Sequence, residues 1–227
     1  YGIRYNYNHG YLNGSVFNQR KNFYHKPLAS VNWEYDINAS TNLSASLYYS
    51  VGRGGGTGDI GRLDGDYASS SKFRNPVNGQ VNWDKIVASN SGQSTTFYDG
   101  SVYSNVVDPT TGLYIVNDQD ETVNGVKRNG IVRRASINSH NFLGSIINLE
   151  KELNDNLTLN FGFDIRSYTG LHYRRLDNLL GADGYRDFDD KNYSGGSQVR
   201  SKTYSSCVGD LWNVFKDTDK EEKIVYH

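Results

Sequence analysis

"LTLNFGFDIRSY", residues 157–168, alternates apolar and polar side chains almost without a break. Leu157, Leu159, Phe161, Phe163 and Ile165 share one parity, while Thr158, Asn160, Gly162, Asp164 and Arg166 share the other. Successive side chains of a strand point to opposite sides of a sheet, so one face is apolar and the other polar and charged. A protein core and a lipid bilayer both leave this pattern, and they imply different functions.

Four further segments repeat it. In "YGIRYNYNHGY" (1–11), Tyr1, Ile3, Tyr5, Tyr7, His9 and Tyr11 alternate with Gly and polar residues. In 28–37, Ala29, Val31, Trp33, Tyr35 and Ile37 share a parity, and in 42–51 Leu43, Ala45, Leu47, Tyr49 and Val51 do so. In 141–153, Leu143, Ile147, Leu149 and Leu153 keep the pattern, with Ser145 and Lys151 interrupting it. Runs of about ten residues suit a tilted strand crossing a bilayer.

The connections separate the two readings. Segments 28–37 and 42–51 join through "NAST" (38–41), and 141–153 and 157–168 through "NDN" (154–156). Asn, Asp and Ser suit tight turns because they bond their own backbone. The other connections, 52–140 and 169–227 above all, are long. Long structureless loops are rare in compact soluble domains, whereas outer-membrane barrels pair short turns at one end with long loops at the other. Trp33 and Tyr35 near a turn, and Tyr5, Tyr7, Tyr11 and Tyr49 toward the loops, suit two interfacial girdles. The expectation is an all-β chain of antiparallel up-and-down strands, part of a transmembrane β-barrel with long extracellular loops. Five strands cannot close a barrel, so an internal piece of a longer protein is expected.

Composition agrees. The 227 residues hold 24 Gly and 18 Tyr, a strand-and-turn composition rather than a helical one. A net charge of −1 argues against a nucleic-acid partner. The single cysteine, Cys207, precludes an intrachain disulfide. Within the long connections, "VNWDKIVASN" (81–90) has Trp83, Ile86 and Val87 at helical spacing, and "VYSNVVDPTTGLYIV" (102–116) reads as a hairpin turning at "DPTTG".

No residue constellation points to catalysis or a cofactor. "GRGGGTG" (52–58) lacks the Lys-Ser/Thr of a phosphate loop and reads instead as the place where the chain bends out of the sheet. "DFDDKN" (187–192) and "DTDKEE" (217–222) bring oxygen ligands together, but a lysine sits in each and neither has EF-hand spacing. They read as solvated acidic loops. The five Asn-x-Ser/Thr sequons, at Asn13, Asn38, Asn42, Asn156 and Asn192, are what chance provides in so Asn-rich a chain. "YRRL" (173–176), with Arg166, His172 and "NQRKNFYH" (18–25), offers guanidinium and aromatic groups. These suit either a ligand surface or ties between loops.

"LNGSVFNQRKNFYHKP" (12–27), "SLYYSVGRGGGTG" (46–58) and "GLHYRRLDNLLG" (170–181) resemble barrel segments of the SusC/RagA-like TonB-dependent receptors of Bacteroidota. The resemblance implies an outer-membrane barrel of about 22 strands with a plug in its lumen. It also implies active import of a glycan, peptide or chelate, energised through TonB and often aided by a SusD-like lipoprotein lid. The plug is absent from these residues. Parity and loop placement then put Arg4, Asn6, Asn8, Asp164 and Arg166 toward the lumen and Arg20, Tyr24, Tyr173 and Arg174, with Arg166, nearer the ligand; the family offers no catalytic residues or cofactors to carry over. The alternative expectation is a soluble all-β glycan-binding or adhesin module, its apolar faces forming a sandwich core.

Overall fold

The computed structural model describes residues 2–3, 5–117, 122–123, 126–127, 129–187, 198–200 and 223–225. Most of these residues are β-strand, with one α-helix among them, and the chain is all-β. It divides into two compact units, residues 24–54 with 138–172 and residues 1–23 with 55–137 and 173–227. They are called here the sheet unit and the loop unit.

The sheet unit is made of two hairpins. Leu28–Asn38 pairs antiparallel with Thr41–Arg62, with Val31 opposite Leu47, Trp33 opposite Ala45 and Tyr35 opposite Leu43. Gly130–Asn154 turns through two residues into Leu157–Asn178. Both turns are held as the sequence predicts. The backbone N–H of Ser40 donates to the Asn38 side chain at 3.0 Å, and that of Asn156 to the Asn154 side chain at 3.0 Å.

Thr41–Arg62 and Gly130–Asn154 are neighbours in one sheet. Partner numbers fall along one as they rise along the other, so they run antiparallel. The Ser40 carbonyl accepts from Glu152 N–H, Gly144 lies under the Tyr48 ring and Gly52 lies under the His140 ring. A Cβ on Gly144 would collide with that phenol ring, and one on Gly52 with the imidazole.

Glycine therefore has a different role from the expected one. The strand does not leave the sheet at "GRGGGTG" but continues to Arg62. Within the loop unit, Gly56 makes room for the Asn22 side chain and Gly58 for the Arg134 guanidinium, which lies flat against it. The glycines remove Cβ atoms where neighbouring side chains cross the strand. The second hairpin is longer than its sequence pattern too, starting at Gly130 and ending at Asn178.

Two other expectations are corrected in the loop unit. Residues 1–11 are not a membrane-length strand: only Gly10–Leu12 is extended, in a small sheet beside Ser15–Val16 and, in parallel, Val81–Asn82. The tyrosines that produced the alternation are used locally. Tyr5 donates to the Gly79 carbonyl and Tyr7 to that of Ser69, while the Arg74 guanidinium stacks 3.7 Å from the Tyr7 ring centre. The "DPTTG" turn forms, with Leu113 C=O accepting from Asp108 N–H, but its arms part. Val102–Tyr103 pairs with Thr95–Thr96, and Ile115–Val116 pairs in parallel with the strand at Gly184.

The loop unit carries the hydrophobic cores. Leu63, Phe73, Val81, Trp83, Ile86, Phe97, Ile131 and Leu180 form one, and Val116, Val132, Leu176, Leu179 and Tyr185 another. The helix Trp83–Asn90 lies where the spacing places it, capped by Asn82, whose side chain accepts from Lys85 N–H. It buries Trp83 and Ile86. Its last residue, Asn90, has no exposure and donates to the carbonyls of Ile131 (2.8 Å) and Leu180 (2.9 Å). Those bonds tie the helix to the start of Gly130–Asn154 and to the turn after Asn178, satisfying carbonyls that burial would otherwise leave costly.

Candidate functional site

The register of the sheet unit puts odd-numbered residues of all four strands on one face. Leu28–Asn38 and Thr41–Arg62 pair odd with odd. Across the other two interfaces the even residues meet: Tyr48 with Phe142, Phe142 with Tyr168, and Asn138 with His172. The odd face therefore collects Val31, Trp33, Tyr35 and Ile37, then Leu47 and Tyr49, then Leu143, Ile147 and Leu153, then Leu157 through Ile165.

Nothing described covers that face. Fourteen large apolar side chains on it keep between 42% (Ile147) and 68% (Val31) of their surface open, while Leu43 and Leu149 on the same face are half-buried. With roughly half of each 150–250 Å² side chain uncovered, the patch is on the order of 1,000 Å², above the largest patches of ordinary soluble monomers. Trp33 and Tyr35 stack on it in parallel, 5.6 Å apart, next to the turn.

The even face satisfies itself laterally. Ser46 donates to Asn32 and Asn42 to Asp36, each pair directly opposite across the first hairpin. Asp164 and Arg166 form an ion pair with Nε 3.0 Å from both carboxylate oxygens. Beside these polar pairs lies an aromatic group the sequence reading missed. The Tyr48, Phe142 and Tyr168 rings adjoin at 5.4 and 5.9 Å, with His140 5.9 Å from Tyr168. The Ser50 hydroxyl gives its one proton to the Pro27 carbonyl (2.8 Å), so the His140 Nε2–H must donate to it (3.0 Å). Aromatic residues at even positions 48, 142 and 168 were the available signal.

The ligand residues expected from sequence are divided between the two units. Arg166 and Tyr24 belong to the sheet unit, Arg20, Tyr173 and Arg174 to the loop unit. Arg20 and Tyr24 are exposed, with Lys26 over the Tyr24 ring. Tyr173 and Arg174 are half-buried on a strand edge that pairs with residues 223–225, and both have partners. Of the expected lumen residues, Asp164 and Arg166 lie on the even face. Asn6 and Asn8 do not belong to a sheet-unit strand: they sit in the turn before Gly10, where Asn6 accepts from Asn8 N–H. Arg4 lies outside the described residues, as do "DTDKEE" and "DFDDKN" beyond Asp187. Among the described residues no three His, Cys, Asp or Glu gather as a metal site. No helix among them is long and apolar enough to cross a membrane.

In the loop unit, Lys72 is buried among three carboxylates, 3.0 Å from Asp64, 3.2 Å from Asp66 and 3.8 Å from Asp99. Burial pulls its pKa down, but the hydrogen bonds to Asp64 and Asp66 outweigh it and raise the ammonium above the ordinary lysine value. Tyr103 donates to Asp64 at 3.1 Å, and burial followed by the Asp64 charge pushes its phenol up to about 12. A raised folded-state pKa gives stability that is complete below the unfolded value and is lost as pH climbs through the folded one. The contribution of Tyr103 to the loop unit's stability should therefore be complete up to about pH 10 and be lost between about 10 and 12. The tyrosinate absorbance titration of Tyr103→Phe should lack one component, centred near 12, that the parent shows. If the missing component titrates near 10 instead, the Tyr103–Asp64 contact does not form.

Comparison with protein-family models, with curated proteins and with solved structures returned no match to this chain.

Proposed function

We propose that this chain is a segment of the wall of an outer-membrane TonB-dependent importer, its odd face against lipid and its even face toward the lumen. One observation carries the reading: four adjacent strands present a continuous apolar face that nothing in the described chain covers. A sandwich module would bury such a face under a second sheet, and among the described residues no second sheet lies over it. Leu157 to Ile165 spans about 26 Å along the strand at about 3.3 Å per residue. Tilted by roughly 40°, that is a band of about 20 Å, of the order of the ~25 Å apolar belt of outer-membrane barrels. The short turns at 39–40 and 155–156, against long connections elsewhere, support the same reading.

Import, rather than passive passage, rests on the resemblance to SusC/RagA-like receptors. On that reading the ligand is a glycan, peptide or chelate, and TonB acts through a plug that these residues do not include. A SusD-like lipoprotein is a candidate lid. Folding the chain into vesicles containing dibrominated lipid tests the membrane part. The emission component that disappears in Trp33→Phe should be quenched strongly by lipid brominated near the headgroup, and less by lipid brominated at the chain ends. An unquenched Trp33 would place the odd face in water and remove the basis of the proposal.

A further inference from the structure

Three Asn-Gly pairs lie among the described residues of the loop unit: Asn13-Gly14, Asn78-Gly79 and Asn129-Gly130. A glycine carries no Cβ, so its backbone nitrogen is the least hindered in a chain and can approach the side-chain amide of the residue before it. Reaction between the two needs an Asn side chain able to turn onto its own main chain. It also needs a glycine N–H not committed to an acceptor, and water to complete it. The fold treats the three pairs differently.

Asn13 and Gly14 are the central residues of the turn between Gly10–Leu12 and Ser15–Val16, with φ of +50° and +73°. Two-residue hairpin turns of this kind require positive φ at both positions, which is why Asn-Gly stands there. Both residues are exposed, and no heavy atom lies within 4 Å of the point a Gly14 Cβ would occupy. The Asn13 N–H donates to Asp84 Oδ1 at 2.8 Å. Neither the Asn13 side chain nor the Gly14 N–H has a partner among the described residues. Asn78 is held instead: its Oδ1 accepts from Gln80 N–H at 2.9 Å, and the buried Gly79 donates its N–H to the Asn75 carbonyl at 2.7 Å. Asn129 is 2% exposed and accepts from Asp64 N–H, while a Cβ on Gly130 would strike Asn90 and Val116. Of these three pairs, only Asn13-Gly14 meets every requirement.

We propose that Asn13 is a site of spontaneous chemical modification in the folded protein. The Gly14 nitrogen gives its proton to water and bonds to Asn13 Cγ. The Cγ–Nδ2 bond breaks, and Nδ2 takes up a proton and leaves as ammonia. Water then opens the five-membered imide at either carbonyl, leaving an aspartate or an isoaspartate at position 13. The isoaspartate adds a methylene to the main chain of a two-residue turn, and either product sets a second carboxylate on the turn that Asp84 holds. Modification therefore loosens the tie between this turn and the first turn of the helix Trp83–Asn90. The site lies wholly in the loop unit, so it does not depend on what covers the sheet unit.

The test incubates the full chain in mildly alkaline buffer, folded in detergent micelles and, in parallel, unfolded in concentrated urea. Tryptic peptides 5–20, 75–85 and 129–133 each carry one of the pairs, and mass spectrometry follows the exchange of amide for acid in each. In urea the three positions should convert at comparable rates, because all share the Asn-Gly sequence. In micelles Asn13 should stay within about threefold of its urea rate. Asn78 and Asn129 should slow by about tenfold or more, because their hydrogen bonds must open before reaction. Isoaspartyl methyltransferase should label peptide 5–20 far above the other two in the folded sample. Protection of Asn13 equal to that of Asn78, or equal rates at all three positions in micelles, would overturn the proposal.

Discussion

Phe161→Arg should weaken folding into lipid vesicles by about 2–4 kcal/mol, the penalty for a guanidinium on the lipid face near the bilayer midplane. Phe161 sits in the middle of the uncovered odd face and is 66% exposed. If water bathed that face, replacing an exposed phenyl with a cation would change little, within about 0.5 kcal/mol. If a second protein layer covered it in a larger assembly, the cost would appear only with that partner present. Denaturant titration in vesicles and in partner-free micelles separates the three cases. A cost in vesicles that shrinks when the same change is made at Leu157, next to the turn, reports depth in a bilayer. A uniform cost at both positions contradicts it.

The even face makes the opposite prediction in kind, which is why parity matters. Thr158 and Asn160 alternate with Leu157, Leu159 and Phe161, so a one-residue slip would carry every apolar group to the other side. The turn held by Asn154 sets the register at Leu157, as the Asn38 turn and the Trp33–Ala45 and Tyr35–Leu43 pairs do in the first hairpin. Position within the sheet, not residue type alone, decides whether an arginine is tolerated. Arg166, on the even face beside Asp164, already is.

Parity and turn chemistry were legible from sequence because large apolar side chains on one face have no local substitute. Segments 28–37, 42–51 and 157–168 lie inside the observed strands for that reason. Strand length was not legible. "GRGGGTG" looks like a chain exit until the neighbouring strand is known, since only then do the His140 ring and the Arg134 guanidinium explain the missing Cβ atoms. Residues 1–11 misled for a different reason: Tyr alternating with Gly and Asn has period two, yet Tyr5 and Tyr7 each found a carbonyl to donate to through the hydroxyl. Helix 83–90 was legible because Trp83, Ile86 and Val87 cannot share a face in any strand.

Of the site, the polar face was legible only as far as Asp164 and Arg166. The Tyr48, Phe142 and Tyr168 group was masked by reading their parity as polar.

Asp177→Asn is the second large effect expected, a loss of about 3–5 kcal/mol from the loop unit. Arg133 and Asp177 form an ion pair whose side chains are 6% and 3% exposed. The guanidinium also donates to the Asn18 carbonyl at 2.8 Å and lies 3.8 Å from the Phe17 ring centre. An amide in place of the carboxylate would keep the shape but remove the charge, leaving a buried cation with one carbonyl and one ring for compensation. The pair itself need not be strongly stabilising, because burying two ions costs nearly what their attraction returns. Arg133→Leu combined with Asp177→Leu should therefore be more stable than either single variant, losing mainly the bond to Asn18, about 1–3 kcal/mol. Trp83 is a convenient reporter, since its indole meets Phe17 edge-on at 5.3 Å beneath the guanidinium. Its fluorescence transition in denaturant should move to lower concentration in Asp177→Asn and largely return in the double variant. A double variant as weak as the single would mean that the pair holds the strands Gly130–Asn154 and Leu157–Asn178 in register by itself. The loop unit would then depend on the ion pair for the placement of its core, not merely tolerate it.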